Sequence, residues 1–473
     1  MRKSELPFIH LFRTSLDHYF FDVNTDTIVK IPKEIYNKLN NFIDDYWEDE
    51  YIVQLRNMGL LQPNRKRITK HPETDYIDLQ FDSCMKTLVL QVTQNCNQRC
   101  DYCVYSGKYE NRVHNNSKMS FEIAKQGIDM VINHSRDSEK LFLGFYGGEP
   151  LLEEELIKKC IQYLDEKIEG KTVQYNITTN GTLLTQNIID IFVSHNVSLM
   201  ISLDGPAEVH NKHRKLLWGN GDSHSIIMKK LKYLKETYPI YYKEHVSFST
   251  VFDGESDFES IDNFFNNSLF EGKNISAVSI ADNYSKKEVY VRNEKFIEDT
   301  KYALFLNMLA IVGRIEEEKT SRLFRLQKEQ IRSLRKGKCF GDKKSLTYYG
   351  HRSGGCVPGL HKLFLSVNGE FYPCEKVSEC SNVCKIGNVT EGLDLEKIRR
   401  LANLQKITEE ECLNCWAYDY CTICLAQADG LDEISKDLIL KRCEHVKKNI
   451  DSLFKDYCLC EELINHRLKS SCS

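Results

Sequence analysis

The sequence lacks a charge excess of either sign. Its 64 Lys and Arg stand against 68 Asp and Glu, a formal net charge of −4. That balance leaves no basic footprint for nucleic acid. No apolar run is long enough to span a bilayer. The opening stretch, MRKSELPFIHLF, has basic residues but no sustained apolar core before a small-residue cleavage site, so no secretory signal is expected. No repeat with a fixed short period is present. Neither nucleic acid nor membrane is therefore expected as a partner, and the expected location is cytoplasmic.

Cysteine, by contrast, is abundant, with 18 in 473 residues. A disulfide framework belongs to short secreted chains with a signal peptide. Neither feature is present here, so a reducing compartment and metal ligation fit better. Exposed metal clusters would also make the protein sensitive to oxygen. With 41% hydrophobic and 28% charged residues, the composition is that of a globular chain long enough for two or three domains.

Three of the cysteines have the spacing Cys-x3-Cys-x2-Cys, at Cys96, Cys100 and Cys103 in QVTQNCNQRCDYC. They follow the apolar run 88–92, which reads as a buried parallel strand. Three thiolates fill three of the four iron positions of a 4Fe-4S cluster and leave the fourth open to an outside ligand. Zinc is the alternative, but a structural zinc normally takes four protein ligands. A second motif, Gly147-Gly148-Glu149-Pro150, follows the strand LFLGFY. Paired glycines let the backbone approach a ligand closely, and the carboxylate can accept hydrogen bonds from an ammonium group. A plain strand-to-helix turn is the alternative. Thr178-Thr179-Asn180-Gly181 closes a third strand pattern, and Ser202-Leu203-Asp204-Gly205-Pro206 closes a fourth, with His210 and Arg214 following.

The chain divides into segments. Residues 1–83 form a small module: strands are expected at 18–23 and 27–31 around a turn at 24–26, followed by a helix with Ile35, Leu39, Phe42 and Ile43 on one face, and by a second helix and wing over 51–61. Residues 86–300 alternate strand and helix patterns, with strands expected at 87–93, 141–146, 173–179, 197–203, 245–251 and 275–281. The helices between them include 121–133, 156–168 and 226–237. Such units imply an α/β parallel sheet with its active site at the carboxyl ends of the strands. A charged helical linker is expected over 301–338, running through 316–336. Residues 339–473 are dense in cysteine, as expected of a domain organised by metal. Within it, Asn368-Gly369 between apolar-rich runs predicts a hairpin that would bring Cys356 and Cys374 near each other. Cys412-x2-Cys415-x5-Cys421-x2-Cys424 and Cys443 follow; paired CxxC units also fit zinc ribbons.

The cysteine loop, the GGEP turn and the two later strand ends together resemble the radical S-adenosyl-L-methionine (SAM) enzymes. The fold implied is an open (β/α)6 partial TIM barrel. In that family the amino and carboxylate groups of SAM occupy the open iron, and the backbone and Glu of GGEP hold the amino group. The resemblance assigns cofactor contacts to Gly147, Gly148, Glu149, Pro150, Asn180, Ser202, Asp204 and Arg214. Ser202 and Asp204 would face the ribose or carboxylate, Arg214 would pair with the carboxylate, and Tyr102 would shield the cluster or stack near adenine. The C-terminal array is similar to the SPASM domain, which carries two auxiliary 4Fe-4S clusters, making three in all. By this resemblance Cys356, Cys374 and Cys424 serve the first, and Cys412, Cys415, Cys421 and Cys443 the second. The family usually spaces the last pair by three residues rather than the two between Cys421 and Cys424. Cys339 would complete the first site, or that site is open to a substrate thiolate, and Cys380 and Cys384 compete for it. Cys84, Cys160, Cys458, Cys460 and Cys472 match nothing and read as free or buried thiols.

Residues 1–83 are similar to the winged-helix-like leader-recognition element of ribosomal-peptide maturases, where a leader peptide adds a strand to a sheet edge; a packing module is the alternative. The whole resembles thioether-forming maturases of ranthipeptides and sactipeptides, including the freyrasin type. That resemblance implies a cysteine-containing precursor peptide with a leader and a reductant such as flavodoxin or ferredoxin. It also implies a 5′-deoxyadenosyl radical that takes hydrogen from a peptide carbon, to which a peptide cysteine sulfur then bonds. A formylglycine-forming sulfatase maturase, a carbon–carbon crosslinking maturase and a non-enzymatic iron–sulfur carrier or scaffold are the other readings. No general base is nominated.

Overall fold

A computed structural model describes residues 6–41, 46–110, 112–218, 221–287, 293–335, 348–352 and 355–470. Six strands pair in parallel in chain order: β1 (Thr87–Thr93), β2 (Lys140–Gly147), β3 (Thr172–Thr179), β4 (Ser198–Ser202), β5 (Val246–Phe252) and β6 (Ile275–Ser279). They match the six strands expected from sequence to within two residues at each end. Helices cross between them, and polar side chains start these: Ser120, Thr185, Asp222 and Asp257 each accept a backbone N–H at the helix entrance. Leu88 through Thr93 are all buried, as a strand covered on both faces must be. The strand ends after β1 to β4 therefore converge on one rim, and all the barrel motifs lie there.

The C-terminal segment extends the same sheet, which the sequence did not reveal. β7 (Leu363–Leu365) pairs in parallel with β1, Leu363 opposite Leu88. The expected hairpin forms, but not through the type I′ turn that Asn368-Gly369 suggests, since only Gly369, with a φ of 82°, lies in the positive-φ region and Asn368 does not; β8 (Glu370–Tyr372) returns antiparallel to β7. Leu363, Phe364, Leu365 and Phe371 are wholly buried in the barrel's own core. The cysteine-rich segment is thus continuous with the barrel.

The expected linker helix is divided. One helix, Glu294–Ile311, begins earlier than expected because the side chain of Asn293 accepts from Phe296 N at 2.7 Å. After short turns at Glu317–Lys319 and Arg322–Phe324, a second runs Arg325–Arg335. Residues 336–347, with Cys339, lie outside the described residues. The chain ends on a long helix, Lys436–Ser470, which carries Cys443, Cys458 and Cys460. Cys160, Cys458 and Cys460 are buried and Cys84 half-buried, and none of the described cysteines is in a disulfide; Cys472 lies outside the described residues.

Asp456 on the long helix accepts from Gln327 Nε2 at 2.9 Å. Burial pushes its carboxyl up to about 6. A carboxyl raised in the folded state stabilises most below its unfolded value, and that stability is lost as pH rises through the folded value. Relative to Asp456→Asn, the wild type is expected to lose about 3 kcal/mol between roughly pH 4 and pH 8. Thermal midpoints of the two proteins measure this; a difference that does not vary with pH would contradict it.

The N-terminal module is a three-stranded antiparallel sheet, Ile9–Arg13, His18–Asp22 and Thr27–Ile31, followed by helices Lys33–Asn41 and Glu50–Asn57. The first strand was not expected. Ile35 and Leu39 are buried as predicted, while Phe42 and Ile43 lie outside the described residues. The two-residue period divides the middle strand: Phe20 packs in the module's own core, whereas Tyr19 and Phe21 join the main core. His10 stacks on Trp416 at 3.6 Å between centroids and lies 2.8 Å from Asp451. The module is therefore seated on the cysteine-rich segment and the long helix.

Candidate active site

The three cysteines of the first motif occupy the loop after β1. Within it Gln98–Cys100 pairs antiparallel with Arg214–Leu216, Cys100 opposite Arg214. Polar hydrogens point at the sulfurs. Gln98 N lies 3.3 Å from Cys96 Sγ, Tyr105 N lies 3.4 Å from Cys103 Sγ, and Asn180 Nδ2 lies 3.9 Å from Cys96 Sγ. Burial, and after it the Glu149 carboxylate, push the Cys96 thiol up to about 12. Burial likewise raises Cys100 and Cys103. Thiols in this setting keep their protons until a metal's charge removes them. Three clustered sulfurs with aimed N–H donors and the Arg214 cation nearby fit an iron–sulfur cluster.

Gly147 and Gly148 make room for the backbone of the cysteine loop. A Cβ at Gly147 would overlap the carbonyl oxygen of Thr93, and one at Gly148 would overlap that of Asn95. Gly148 N donates to Thr93 O at 2.9 Å, and Glu149 N donates to Asn95 O at 2.8 Å. The glycines thus let the end of β2 lie directly on the cysteine loop. Gly148→Ala is expected to displace that loop and markedly lower iron bound on reconstitution; an unchanged iron content would show that the close approach is dispensable.

Glu149 is fully buried and accepts from Thr179 Oγ1 at 2.5 Å, Asn180 N at 2.7 Å and Leu151 N at 3.1 Å. Burial nevertheless pushes its carboxyl up to about 7. Pro150 opens the short turn that follows, where its missing N–H costs nothing. Asn180 also donates to Asn97 Oδ1 at 2.8 Å, linking the end of β3 to the cysteine loop. Ser202 is the half-buried last residue of β4.

Asp204 and Arg214 face each other. Arg214 Nε donates to Asp204 Oδ2 at 2.7 Å and Nη2 donates to Oδ1 at 3.1 Å. Tyr102 donates its hydroxyl to the same carboxylate, and its ring centroid lies 5.5 Å from the Arg214 guanidinium. The carboxylate partner of Arg214 here is thus Asp204, and Tyr102 is the third member of the pair. His213, not singled out from sequence, bridges Asp101 and Asp253 at 2.8 Å each.

The C-terminal cysteines gather in two groups. Burial first, then Glu375, with Cys356 and Cys424 contributing, push Cys374 up to about 11. Burial first, then Cys421, Cys415 and Cys412, push Cys443 up to about 11. Cys380 is exposed, and Cys384 is buried beside Ser381 and Asp429. Among the described residues no three His, Cys, Asp or Glu side chains are drawn together for a single metal ion.

Sequence reasoning also missed Arg112 and Glu379. Arg112 is buried among the rings of Tyr105, Tyr146 and Phe364, with Nε 2.5 Å from Glu379 Oε1. Gln91 and Gln94, on β1 and its loop, donate to the same carboxylate at 2.7 and 2.9 Å. Nothing local in the sequence marks a pair whose members are this far apart in the chain.

Residues 90–265 match the Radical SAM superfamily. The structure has the fold of an anaerobic sulfatase-maturating enzyme solved with bound AdoMet, anSMEcpe, at a TM-score of 0.58 and 19% identity over 79% of this chain and 99% of that one. In sequence the chain is 24% identical over 278 residues to the radical SAM cyclopropyl synthase TigE of Paramaledivibacter caminithermalis, covering 56% of this chain and 52% of that protein. It is 35% identical over 138 residues to the serine-type anaerobic sulfatase-maturating enzyme of Bacteroides thetaiotaomicron, covering 28% and 33%. The chain thus spans about half or less of the length of these two sequence relatives. The central barrel is thus similar in sequence to the Radical SAM superfamily over residues 90–265 and shares its fold with anSMEcpe. No helix among the described residues is long and apolar enough to cross a membrane.

Proposed function

We propose that this chain is a radical SAM maturase of a ribosomally made precursor peptide that joins a peptide cysteine sulfur to a carbon. The observation that carries the reading is the rim site: three clustered thiols, the buried Glu149 beneath them and the Asp204–Arg214 pair, all at the carboxyl ends of parallel strands. Cys96, Cys100 and Cys103 would hold a 4Fe-4S cluster, which with SAM supplies a carbon radical able to take a substrate hydrogen. Glu149, Asn180, Ser202 and the Arg214 side of the pair would orient SAM, and the walls of β1 to β6 would keep water from the radical.

Cys356, Cys374 and Cys424 would hold one auxiliary cluster, and Cys412, Cys415, Cys421 and Cys443 another. These supply a metal-bound, deprotonated sulfur and a path for the surplus electron; flavodoxin or ferredoxin would supply the starting electron. The outer strand Thr27–Ile31 pairs on one side only among the described residues, an edge on which a leader peptide can add a strand. Two further readings have specific support. The shared fold with anSMEcpe favours formylglycine formation, and the likeness to a cyclopropyl synthase favours carbon–carbon bonding.

Mass spectrometry of a cysteine-containing peptide encoded beside the gene, co-expressed and then alkylated, separates them. Loss of two hydrogens per link with the cysteine protected from alkylation is expected. Loss of hydrogen with every cysteine alkylated would replace thioether formation by carbon–carbon bonding. An unchanged peptide, with intact clusters, would move the substrate to a protein such as a sulfatase. Cys415→Ala is expected to spare 5′-deoxyadenosine formation and to stop product, measured in the same co-expression; normal product would remove the second auxiliary cluster from the mechanism.

A further inference from the structure

Two deeply buried cations have no role in the barrel site. Arg352 is 2% exposed and Lys66 is 1% exposed. They come from distant parts of the chain, and a short parallel pairing of Ile68–Thr69 with Tyr349–Gly350 brings them together. Lys70 N donates to Gly350 O at 2.9 Å, and Asn64 Nδ2 donates to Leu413 O at 2.7 Å, seating this strand pair against the Cys412 turn. Lys66 Nζ lies 3.5 Å over the ring of Tyr418 and 3.4 Å from the carbonyl oxygen of Cys412. A Cβ at Gly350 would collide with the Lys66 stem and stand 3.0 Å from the Tyr418 ring, so this closeness depends on glycine.

Arg352 Nε and Nη2 are buried and find no hydrogen-bond partner among the described residues, nor does the Tyr418 hydroxyl. Arg352 stands two residues after the strand pair that rests on the Cys412 turn and four residues before Cys356. Arg352 therefore stands between the two cysteine groups. An uncompensated buried cation is costly, and an anion beside it removes the cost. An iron–sulfur cube on four thiolates is such an anion.

Resting on the auxiliary-cluster reading above, we propose that Arg352 and Lys66 are redox-tuning residues. They raise the one-electron reduction potential of the site formed by Cys412, Cys415, Cys421 and Cys443, and Arg352 extends the effect to Cys356, Cys374 and Cys424. Reduction adds one negative charge, and a fixed cation in a low-dielectric interior favours the more negative state. That electron is the one released when the substrate carbon radical is oxidised on forming its bond to sulfur, the thiol proton leaving to solvent.

The test is a redox titration followed by electron paramagnetic resonance. It uses reconstituted protein carrying Cys96→Ala, Cys100→Ala and Cys103→Ala, so that only auxiliary signals remain. Arg352→Gln and Lys66→Met are each expected to lower the one-electron reduction constant about tenfold, a fall of about 59 mV, at unchanged iron content. Arg352→Lys, which keeps the charge, is expected to keep most of the potential. Unchanged potentials in both neutral variants overturn the proposal. Should Arg352→Gln fail to take up iron, an unchanged potential in Lys66→Met overturns it alone. A parent protein that binds no auxiliary iron overturns the proposal together with the cluster reading, and the iron assay distinguishes that failure from the first.

Discussion

Replacing Cys96, Cys100 and Cys103 together by Ala is expected to reduce 5′-deoxyadenosine formation from SAM to the level of a control without protein, with the fold retained. The chemistry needs all three sulfurs, because fewer thiolates leave more than one iron open. The fold does not. The loop is held by backbone pairing of Gln98–Cys100 with Arg214–Leu216 and by the Gly148 and Glu149 N–H groups on Thr93 and Asn95 carbonyls. Those bonds survive the substitutions. The check is chromatographic measurement of 5′-deoxyadenosine under reducing conditions, beside circular dichroism of the variant. Retained 5′-deoxyadenosine in a folded variant would disprove the cluster assignment.

Asp204→Ala is expected to be the most damaging single change at the rim. Its carboxylate accepts two bonds from Arg214, one from Tyr102 and one from Val251 N at 3.1 Å, all in a buried setting. Removing it strands the Arg214 charge, which costs about 3–5 kcal/mol where a buried pair loses one member. The loss also reaches the cysteine loop, since Arg214 lies opposite Cys100 in the strand pair. A large drop in thermal midpoint with lost iron uptake is expected. Adding Arg214→Met to Asp204→Ala should recover part of the midpoint but not SAM binding, because the stranded charge is gone while the cofactor contacts proposed above are not restored. A single variant as stable as the wild type would mean that the pair is not buried as described.

Legibility in the sequence followed the range of each interaction. β1 was readable as a short apolar run, which burial on both faces demands, and β3 to β5 by the alternation of buried with half-buried or exposed residues. The hairpin at Asn368-Gly369 was readable because one glycine's positive φ decides it. The cysteine loop and GGEP were readable because their residues are adjacent. The role of the paired glycines was not, since the carbonyls they make room for belong to another loop. The early start of the helix at Glu294 was missed because the Asn293 cap competes with other local turns in sequence.

By itself the sequence determined the order of strands and helices, the rim on which the motifs fall, and the spacing of thiols able to hold iron. These depend on residues close in the chain, where period, capping and spacing act directly. Only the tertiary structure decided that the cysteine-rich segment continues the barrel sheet through β7, that Arg214 is spoken for by Asp204, that Arg112 and Glu379 clasp the two halves, and that Lys66 reaches Cys412. Each of these joins residues far apart in the chain, and which buried charge finds which partner is set by the packed interior, where an unpaired charge is too costly to keep.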